Sequence, residues 1–271
     1  MDALYNAAKP RVVAIGGPTA TGKTALSVAL AKRFGGEIIS ADSMQIYQGL
    51  DVGTAKVTPE EMQGVPHHLV GFLAPEQAFS VADFTTLAGK TITQLTAQGK
   101  LPLVVGGTGL YITSLLNGIG FTPEKVDPAI RQELQARLQA EGSQALYAEL
   151  AAVDPGYAAK VHPNNTPRVI RALELYRATG RKMSAEREAA RPAEKPYRSL
   201  CLCLTCRDRA LLYQRIDTRC DRMMQSGILE EAKLVYDHRD TYRTAAQAIG
   251  YKEFFPYFEG TADLESCLAH L

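Results

Sequence analysis

The chain has 271 residues, of which 46% are hydrophobic and 22% charged, a composition typical of a globular protein with one core and room for a smaller added unit. Because 30 Lys and Arg residues balance 29 Asp and Glu residues, any contact with a polyanion has to come from a local patch. The apolar runs are too short to cross a bilayer and the N-terminus shows no signal-peptide pattern, so we expect a cytoplasmic chain.

The first part of the chain predicts alternating strands and helices. Short apolar runs predict strands, apolar residues at helical spacing predict helices, and Ser80 with Asp83 forms a capping box where one helix begins. This alternation is typical of a parallel sheet with helices on both faces. The predicted strands are 11–16, 37–40 and 101–106, and the predicted helices are 24–33, 80–98 and a short helix through Leu116.

From about Gly120 to Pro196 the pattern changes to helices without strands, after which 197–205 predicts a strand and Asp208 opens a helix to about Gln225. The helical patterns in the middle segment are 129–140, 144–152 and 166–178. We therefore predict an α/β fold: a doubly wound parallel sheet formed by residues 1–119 and 196–271, with an all-helical domain inserted at 120–195. The sheet is expected to be P-loop NTPase-like, because residues 17–24 have the spacing Gly-x-x-x-x-Gly-Lys-Thr between its first strand and helix.

Local clusters of residues add three expectations. Between Lys160 and Arg191 eight basic residues stand against three acidic ones, which is the local basic patch of the chain. Cysteines 201, 203 and 206 approach a metal-ligand spacing, but they lie on a predicted strand without a second ligand pair, so we expect buried free thiols. His67 and His68 are expected at a loop or a strand end.

Residues 17–24 read Gly-Pro-Thr-Ala-Thr-Gly-Lys-Thr, the spacing of a phosphate-binding P-loop between a strand and a helix. The glycines let backbone N–H groups turn toward an anion, and the helix that follows presents the positive end of its dipole. Lys23 adds a positive charge, and the Thr24 hydroxyl can bind a Mg²⁺ ion that bridges phosphates. The loop predicts a phosphate site without identifying its ligand.

Asp42 follows the second predicted strand, and strand ends of a parallel sheet meet at one edge. We therefore expect Asp42 and the glycine-rich segment 106–109 to lie across a crevice from the P-loop. The run 101–105 is not followed by the metal-binding carboxylate of ATPases and GTPases, and no Asn-Lys-x-Asp segment is present. We interpret Asp42 as a general base facing a nucleophile; a helix N-cap or a water-mediated Mg²⁺ ligand are the alternatives.

With these residues in place, the sequence resembles the tRNA dimethylallyltransferase family of P-loop prenyltransferases. The resemblance covers nearly the whole chain, in order, and several of its segments are specific to that family. The segments that carry it are 17–24, 40–47, 51–56, 65–68, 80–84, 104–111, 168–176 and 248–253.

The resemblance implies transfer of a dimethylallyl group from dimethylallyl diphosphate to N6 of adenosine-37, next to the tRNA anticodon, with release of pyrophosphate. Asp42 would accept the N6 proton and Arg215 would contact the diphosphate, with a surface ion pair as the alternative for Arg215. A stacked adenine would have to leave its stack to reach the crevice. The diphosphate would be held by Gly17, Thr19, Ala20, Thr21, Gly22, Lys23 and Thr24, with Mg²⁺ on Thr24.

The resemblance also implies contacts with tRNA, and the helical insertion would grip the anticodon stem. The implied contacts are Asp42, Ser43, Met44, Gln45, Thr108, Thr166, Pro167, Arg168, Val169, Ile170, Gln247, Gly250 and Lys252. For the neighbouring Arg171, Arg177 and Arg181 a solvated helix face is an equal alternative. Family members usually continue past the position of Leu271 with a basic helix that contacts tRNA, and we expect a monomer.

Three other functions stay open at this point. An adenylate isopentenyltransferase would use the same donor with a free nucleotide, although the basic patch between Lys160 and Arg191 favours an RNA. A small-molecule kinase shares the P-loop and an aspartate after the second strand, but residues 101–116 show no arginine-rich lid and no adenine pocket. A non-enzymatic RNA-binding module would bind without turnover.

Overall fold

The computed structural model describes residues 9–121, 127–190, 192 and 194–271. Within these residues five strands form one sheet in the order β3-β2-β4-β1-β5, and all the pairings between them are parallel. The strands are β1 (Arg11–Gly16), β2 (Gly36–Ser40), β3 (His67–His68), β4 (Leu101–Gly106) and β5 (Arg198–Cys203). The sheet confirms the predicted parallel α/β fold.

Side-chain caps begin several of the helices, as at Ser80, which forms a complete capping box with Asp83. No helix within the described ranges combines the length and the apolar character that a membrane span requires. The helices are α1 (Lys23–Phe34), α2 (Pro59–Met62), α3 (Val81–Ala97), α4 (Gly109–Leu116), α5 (Pro128–Glu141), α6 (Ser143–Val153), α7 (Pro155–Ala158), α8 (Thr166–Thr179), α9 (Met183–Ala189), α10 (Arg209–Gln225), α11 (Ile228–Asp237), α12 (Phe255–Phe258) and α13 (Leu264–Ala269), with 3₁₀ turns at Ala245–Gln247 and Lys252–Phe254.

Helices cover both faces of the sheet. On one face Val104 of β4 packs in a cluster with α3 and α4, where Phe84 and Tyr111 stack with ring centroids 4.4 Å apart. On the other face Leu103 of β4 packs in a cluster with Val28 of α1. Because both faces of β4 are buried, its sequence is a continuous apolar run rather than an alternating one.

The chain divides into two compact units, which we call the core unit (Met1–Asn117 and Lys195–Leu271) and the helical unit (Gly118–Glu194). The helical unit has its own apolar core, in which Leu134 of α5, Leu150 of α6 and Leu173 of α8 are fully buried. In its described residues this unit consists of helices and their connections.

A third cluster in the core unit joins the segment after β2 to the C-terminal helices. Ile46, Tyr47 and Leu50 pack with Ile228 and Val235 of α11, and all five side chains are buried. The helices α11 and α12 are not predicted from the sequence. Their packing fixes the segment that follows Asp42.

The expectation of buried thiols on β5 is wrong. Cys201 and Cys203 are exposed and Cys206 is partly buried, although all five cysteines of the chain are free. β5 lies at the edge of the sheet, has β1 as its one partner among the described strands, and is exposed along most of its length. The alternating sequence predicts the strand correctly, but it does not distinguish an edge strand from a covered one.

Candidate active site

The carboxyl ends of the central strands open into a cavity of about 910 Å³ within the core unit. P-loop residues 19–24, Asp42 after β2, and Gly106 and Gly107 at the end of β4 line this cavity. These segments are far apart in sequence and meet because the strands of a parallel sheet all end at the same edge. The predicted convergence is therefore present.

The P-loop is held by the chain that follows β5. Gly17 has φ +151°, and a Cβ at this position would lie 2.5 Å from the carbonyl oxygen of Leu204, so the close approach requires glycine. The Lys23 ammonium donates hydrogen bonds to the carbonyl oxygens of Gly17 and Pro18, at 2.9 and 2.6 Å. The loop thus keeps its lysine at the start of α1, beside the N–H groups of the first helical turn.

Three arginines of α10 also line the cavity. Arg215, Arg219 and Arg222 lie four and three residues apart, which places them on one face of the helix. None of the three forms an ion pair with another residue of the part of the chain that the structure describes. Of the three, only Arg215 is predicted from the sequence; the helical spacing of Arg219 and Arg222 is visible there, but the face of α10 that meets the cavity is not.

The charged side chains of the cavity shift the pKa values of Lys23 and Arg219. Burial lowers the pKa of Lys23, Asp42 raises it and Arg219 lowers it further, with a net lowering. Burial likewise lowers the pKa of Arg219 against an opposing effect of Asp42. Two cations and one carboxylate therefore share a partly desolvated space, in which electrostatic interactions are stronger than in water.

Asp42 is fixed by the turn that follows β2. Its Oδ1 accepts hydrogen bonds from the backbone N–H groups of Met44 (2.9 Å) and Gln45 (3.3 Å). This turn is not helical, so Asp42 is not a helix N-cap, and the structure removes that alternative. Its Oδ2 accepts no hydrogen bond from the described residues, which leaves one carboxylate oxygen for a ligand.

Thr108 and Ser43 lie directly beside Asp42. The Ser43 N–H donates to the Thr108 hydroxyl at 3.0 Å, and the Thr108 N–H donates to the carbonyl oxygen of Ala41 at 3.1 Å. The Gln45 side chain lines the cavity, and its amide donates to the carbonyl oxygens of a neighbouring loop. The structure thus brings Asp42 and Gln45 into the cavity with the P-loop, whereas Ser43, Met44 and Thr108 adjoin Asp42 without lining the cavity.

The predicted residues near the C-terminus do not line the cavity. Gln247 and Lys252 are exposed, whereas Gly250 is buried and its N–H donates to the Glu253 carboxylate at 2.8 Å. Contact of these three residues with RNA stays a prediction.

In the helical unit the predicted contacts form the first turn of α8. Pro167 and Arg168 are exposed and Thr166 is partly exposed, but Val169 and Ile170 are only 1% and 7% exposed and belong to the core of this unit. Their side chains are therefore occupied by packing, which leaves Thr166, Pro167 and Arg168 as the accessible side chains of the motif.

Several arginines of the basic patch are paired inside the helical unit. Arg171 donates to the buried Glu174 at 2.7 Å, and Arg177 bonds to Glu149 and Glu133 at 2.9 and 2.8 Å. Arg168, in contrast, has no ion pair with the described residues. The pairs favour a structural role for Arg171 and Arg177.

Family models and sequence relatives both match this chain to prenyl-transferring enzymes. Residues 45–271 match the protein family described as IPP transferase, and residues 10–70 match the one described as isopentenyl transferase. A tRNA dimethylallyltransferase of Bacillus subtilis is 49% identical over 266 residues, which cover 98% of this chain and 84% of the relative. The enzyme of the same name from Halalkalibacterium halodurans is 46% identical, with 96% and 82% covered.

Solved structures of similar fold come from the same kind of enzyme. The crystal structure of a tRNA isopentenylpyrophosphate transferase from Bacillus halodurans superposes with a TM-score of 0.67 at 45% identity, covering 96% of this chain and 81% of that one. A eukaryotic dimethylallyltransferase acting on tRNA gives a TM-score of 0.77 at 32% identity, covering 96% and 65%. With identity near one half over almost its whole length, the chain belongs to the IPP transferase family, the prenyl-transferring enzymes that include the tRNA dimethylallyltransferases.

Proposed function

We propose that this protein transfers the dimethylallyl group of dimethylallyl diphosphate to the N6 amine of the adenosine next to the tRNA anticodon. The observation that carries the proposal is the pairing of Asp42 with the cations in one cavity: a carboxylate with one free oxygen faces Lys23 and Arg219. A base and a diphosphate site in one cavity suit an alkyl transfer. The named relatives support the same conclusion.

The cations stabilise the leaving group. The P-loop N–H groups, Lys23 and Arg219 bind the diphosphate, and Arg215 and Arg222 add positive charge at the rim. As the bond between C1 and oxygen breaks, negative charge accumulates on pyrophosphate. Donors that are already oriented in a partly desolvated site stabilise this charge more strongly than water does.

Asp42 acts on the acceptor. The N6 amine attacks C1 of the dimethylallyl group, a bond from nitrogen to carbon forms, and pyrophosphate leaves with the electron pair of the C1–O bond. The free Oδ2 of Asp42 takes the N6 proton, while the Met44 and Gln45 amides keep Oδ1 in place. Thr108 lies beside Asp42 and contributes a hydroxyl near the amine.

The oxygen donors at the cavity fit Mg²⁺. Thr24 and Asp42 line the cavity, and the described residues contain no group of three His, Cys, Asp or Glu side chains that would form an all-protein cage. Mg²⁺ keeps several waters and is commonly held by one or two side chains together with substrate phosphates. Thr24 would hold it, and the ion would neutralise charge on the diphosphate.

The RNA substrate is supported by the exposed start of α8. Arg168 is exposed and without an ion pair among the described residues, as a phosphate-binding arginine has to be. We infer that this turn contacts the backbone of the anticodon stem. The core unit then performs the chemistry on the extruded adenine.

The test is transfer of labelled dimethylallyl from its diphosphate to a synthetic anticodon stem-loop. The matched control RNA carries inosine at the target position and so lacks the exocyclic amine. We expect labelled adenosine in the first RNA and no label in the second. Transfer to AMP but not to the stem-loop would establish the adenylate isopentenyltransferase, and phosphate transfer from ATP to a metabolite would establish the kinase.

A further inference from the structure

A carboxylate on α11 holds the loop that forms one wall of the cavity. Glu231 Oε2 accepts hydrogen bonds from the backbone N–H groups of Asp51 (2.7 Å) and Val52 (3.0 Å), and its Oε1 accepts one from Gly53 (2.8 Å). Successive N–H groups that converge on an anion form a nest, and bonds to an ionised acceptor are stronger than neutral ones. The backbone at 51–53 is thus tied to a helix that follows it by well over a hundred residues.

Tyr251 completes this anchor. Its hydroxyl donates to Glu231 Oε1 at 2.7 Å, and its ring is fully buried. Burial and the adjacent Glu231 carboxylate raise the pKa of Tyr251, which keeps the hydroxyl protonated as a donor. A Cβ at Gly53 would lie 2.3 Å from the ring, so the loop can approach this closely only with glycine there.

The anchored loop in turn holds Gln45. The Gln45 side-chain amide donates to the carbonyl oxygens of Thr54 (3.3 Å) and Ala55 (3.0 Å), which follow the anchored residues directly. The Gln45 backbone N–H donates to Asp42 Oδ1. Hydrogen bonds, joined by the backbone of residues 51–55 and by Gln45, therefore connect Glu231 with Asp42, and each of these contacts lies within the core unit.

We propose that Glu231 is a positioning residue for prenyl transfer, which anchors loop 51–56 so that Gln45 and the Asp42 carboxylate stay aligned with the acceptor amine. Glu231 itself is not among the residues that line the cavity, so it acts through the loop. This inference rests on the proposed function. Loss of the anchor is expected to lower kcat and to leave the affinity for the donor nearly unchanged, because the P-loop is not among the connected segments.

The principal variant is Glu231→Gln, which keeps the shape but replaces one acceptor oxygen with an NH₂ group that cannot accept the loop N–H groups. We expect kcat to fall about 10- to 100-fold, since displacement of a reacting group by about 1 Å costs this much, with the KM for dimethylallyl diphosphate changed less than about threefold. The control is Glu230→Gln, the same change of charge on the exposed neighbouring residue of α11.

Hydrogen exchange shows whether the anchor has been released. The amides of Asp51, Val52 and Gly53 should exchange faster in Glu231→Gln and be unchanged in Glu230→Gln, and both variants should unfold at similar temperatures. If these amides lose protection while kcat stays within about twofold of the control, the positioning role is refuted. A donor KM that rises in parallel with the fall in kcat also refutes it.

Tyr251→Phe provides a second route if Glu231→Gln does not fold. It removes one hydrogen bond to Glu231 and keeps the ring against Gly53. We expect kcat to fall about threefold, the effect of one hydrogen bond, and an unchanged kcat would overturn the proposal. If the wild-type chain transfers no prenyl group at all, the proposed function fails instead, and the exchange experiment still reports on the anchor.

Discussion

Arg177 of the helical unit and the cavity arginines of the core unit differ in whether they form ion pairs within the protein. In the helical unit Arg177 is bonded to Glu149 and Glu133, so its charge is neutralised by the protein itself. In the core unit Arg219 and Arg222 line the cavity and form no ion pair with the described residues. A count of basic residues treats these groups alike, whereas the structure shows that Arg219 and Arg222, like Arg168 at the start of α8, have no ion pair with the described residues and are open to an anion from outside. Pairing, rather than the number of basic residues, indicates where a polyanion binds.

The largest expected effect comes from the carboxylate that faces the cavity cations. Asp42→Asn keeps Oδ1 for the Met44 and Gln45 amides but loses the base, and general-base catalysis contributes about 10²- to 10⁴-fold. We expect kcat to fall about 10³-fold in single-turnover assays, with the Kd of the stem-loop changed less than about twofold.

Asp217→Asn serves as the control for this variant, because Asp217 is an exposed residue of α10 that does not line the cavity. It should keep full activity. Turnover by Asp42→Asn within about tenfold of the wild type would show that Asp42 is not the base.

The second-largest effect is expected at the arginines of α10, which should differ in how much each contributes to kcat/KM for the donor. Arg219 is partly buried and coupled to Asp42, whereas Arg215 is exposed. We expect Arg219→Gln to lower kcat/KM for dimethylallyl diphosphate about 10²- to 10³-fold, the cost of removing one oriented donor to developing charge, and Arg215→Gln to lower it about tenfold. Steady-state kinetics with varied donor and inhibition by pyrophosphate measure both.

Arg209→Gln, at the start of the same helix and away from the cavity, is the matched control and should behave like the wild type. A larger loss for Arg215→Gln than for Arg219→Gln would contradict the assignment of Arg219 as the main diphosphate contact.

The third effect tests pairing directly, with two arginines of the same helix. Arg168→Gln should weaken stem-loop binding about three- to tenfold and reduce the salt dependence of log K by about one, because one phosphate contact is lost, with thermal stability unchanged. Arg177→Gln should lower the free energy of unfolding by about 1 kcal/mol, since an ion-pair network is broken, and leave the salt dependence of binding unchanged.

Binding titrations at several salt concentrations measure the salt dependence of RNA binding, and thermal unfolding measures the stability of both variants. If Arg177→Gln reduces the salt dependence as much as Arg168→Gln does, the paired arginine also contacts RNA and the comparison between the units is wrong.

The smallest effect concerns a paired charge in the core unit away from the cavity. Burial alone would raise the pKa of Glu37, but hydrogen bonds from Lys100 and His68 lower it more, and the net shift is downward from 4.5. A lowered folded-state pKa stabilises the protein above pH 4.5, and this contribution is lost as the pH falls through the folded-state value. Glu37→Gln should remove about 1 kcal/mol of stability at pH 7 and less below pH 4. An equal loss of stability at pH 7 and below pH 4 would show that the ionised Glu37 carboxylate is not the source of this stabilisation.

Much of the site was predictable because its signals are local. The P-loop spacing, Asp42 after a strand and the glycines after β4 each follow from a short stretch of sequence, and the rule for parallel sheets brings them together. Arg219 was missed because a helix face is meaningful only once the position of α10 is known. The spacing from Arg215 was visible, but nothing in the sequence showed which face of the helix meets the cavity.

Burial and long-range pairing were less predictable. Val169 and Ile170 belong to a motif predicted to contact RNA, yet their side chains form the core of the helical unit, because a helix that binds on one face has to pack on another. The exposed thiols of β5 and the anchor between Glu231 and Asp51 depend on contacts between distant segments. No spacing in the sequence reports such contacts.

The pairing of β1 with β5 has a consequence for synthesis on the ribosome. These strands are in register from Arg11 with Arg198 to Gly16 with Cys203, and the whole helical unit is translated between them. During that interval β1 is a temporary edge with unpaired backbone groups, which is the condition that favours wrong association between nascent chains. The contacts of the helical unit are local. Its early folding would therefore shorten the length of flexible chain between β1 and β5 and so favour their pairing.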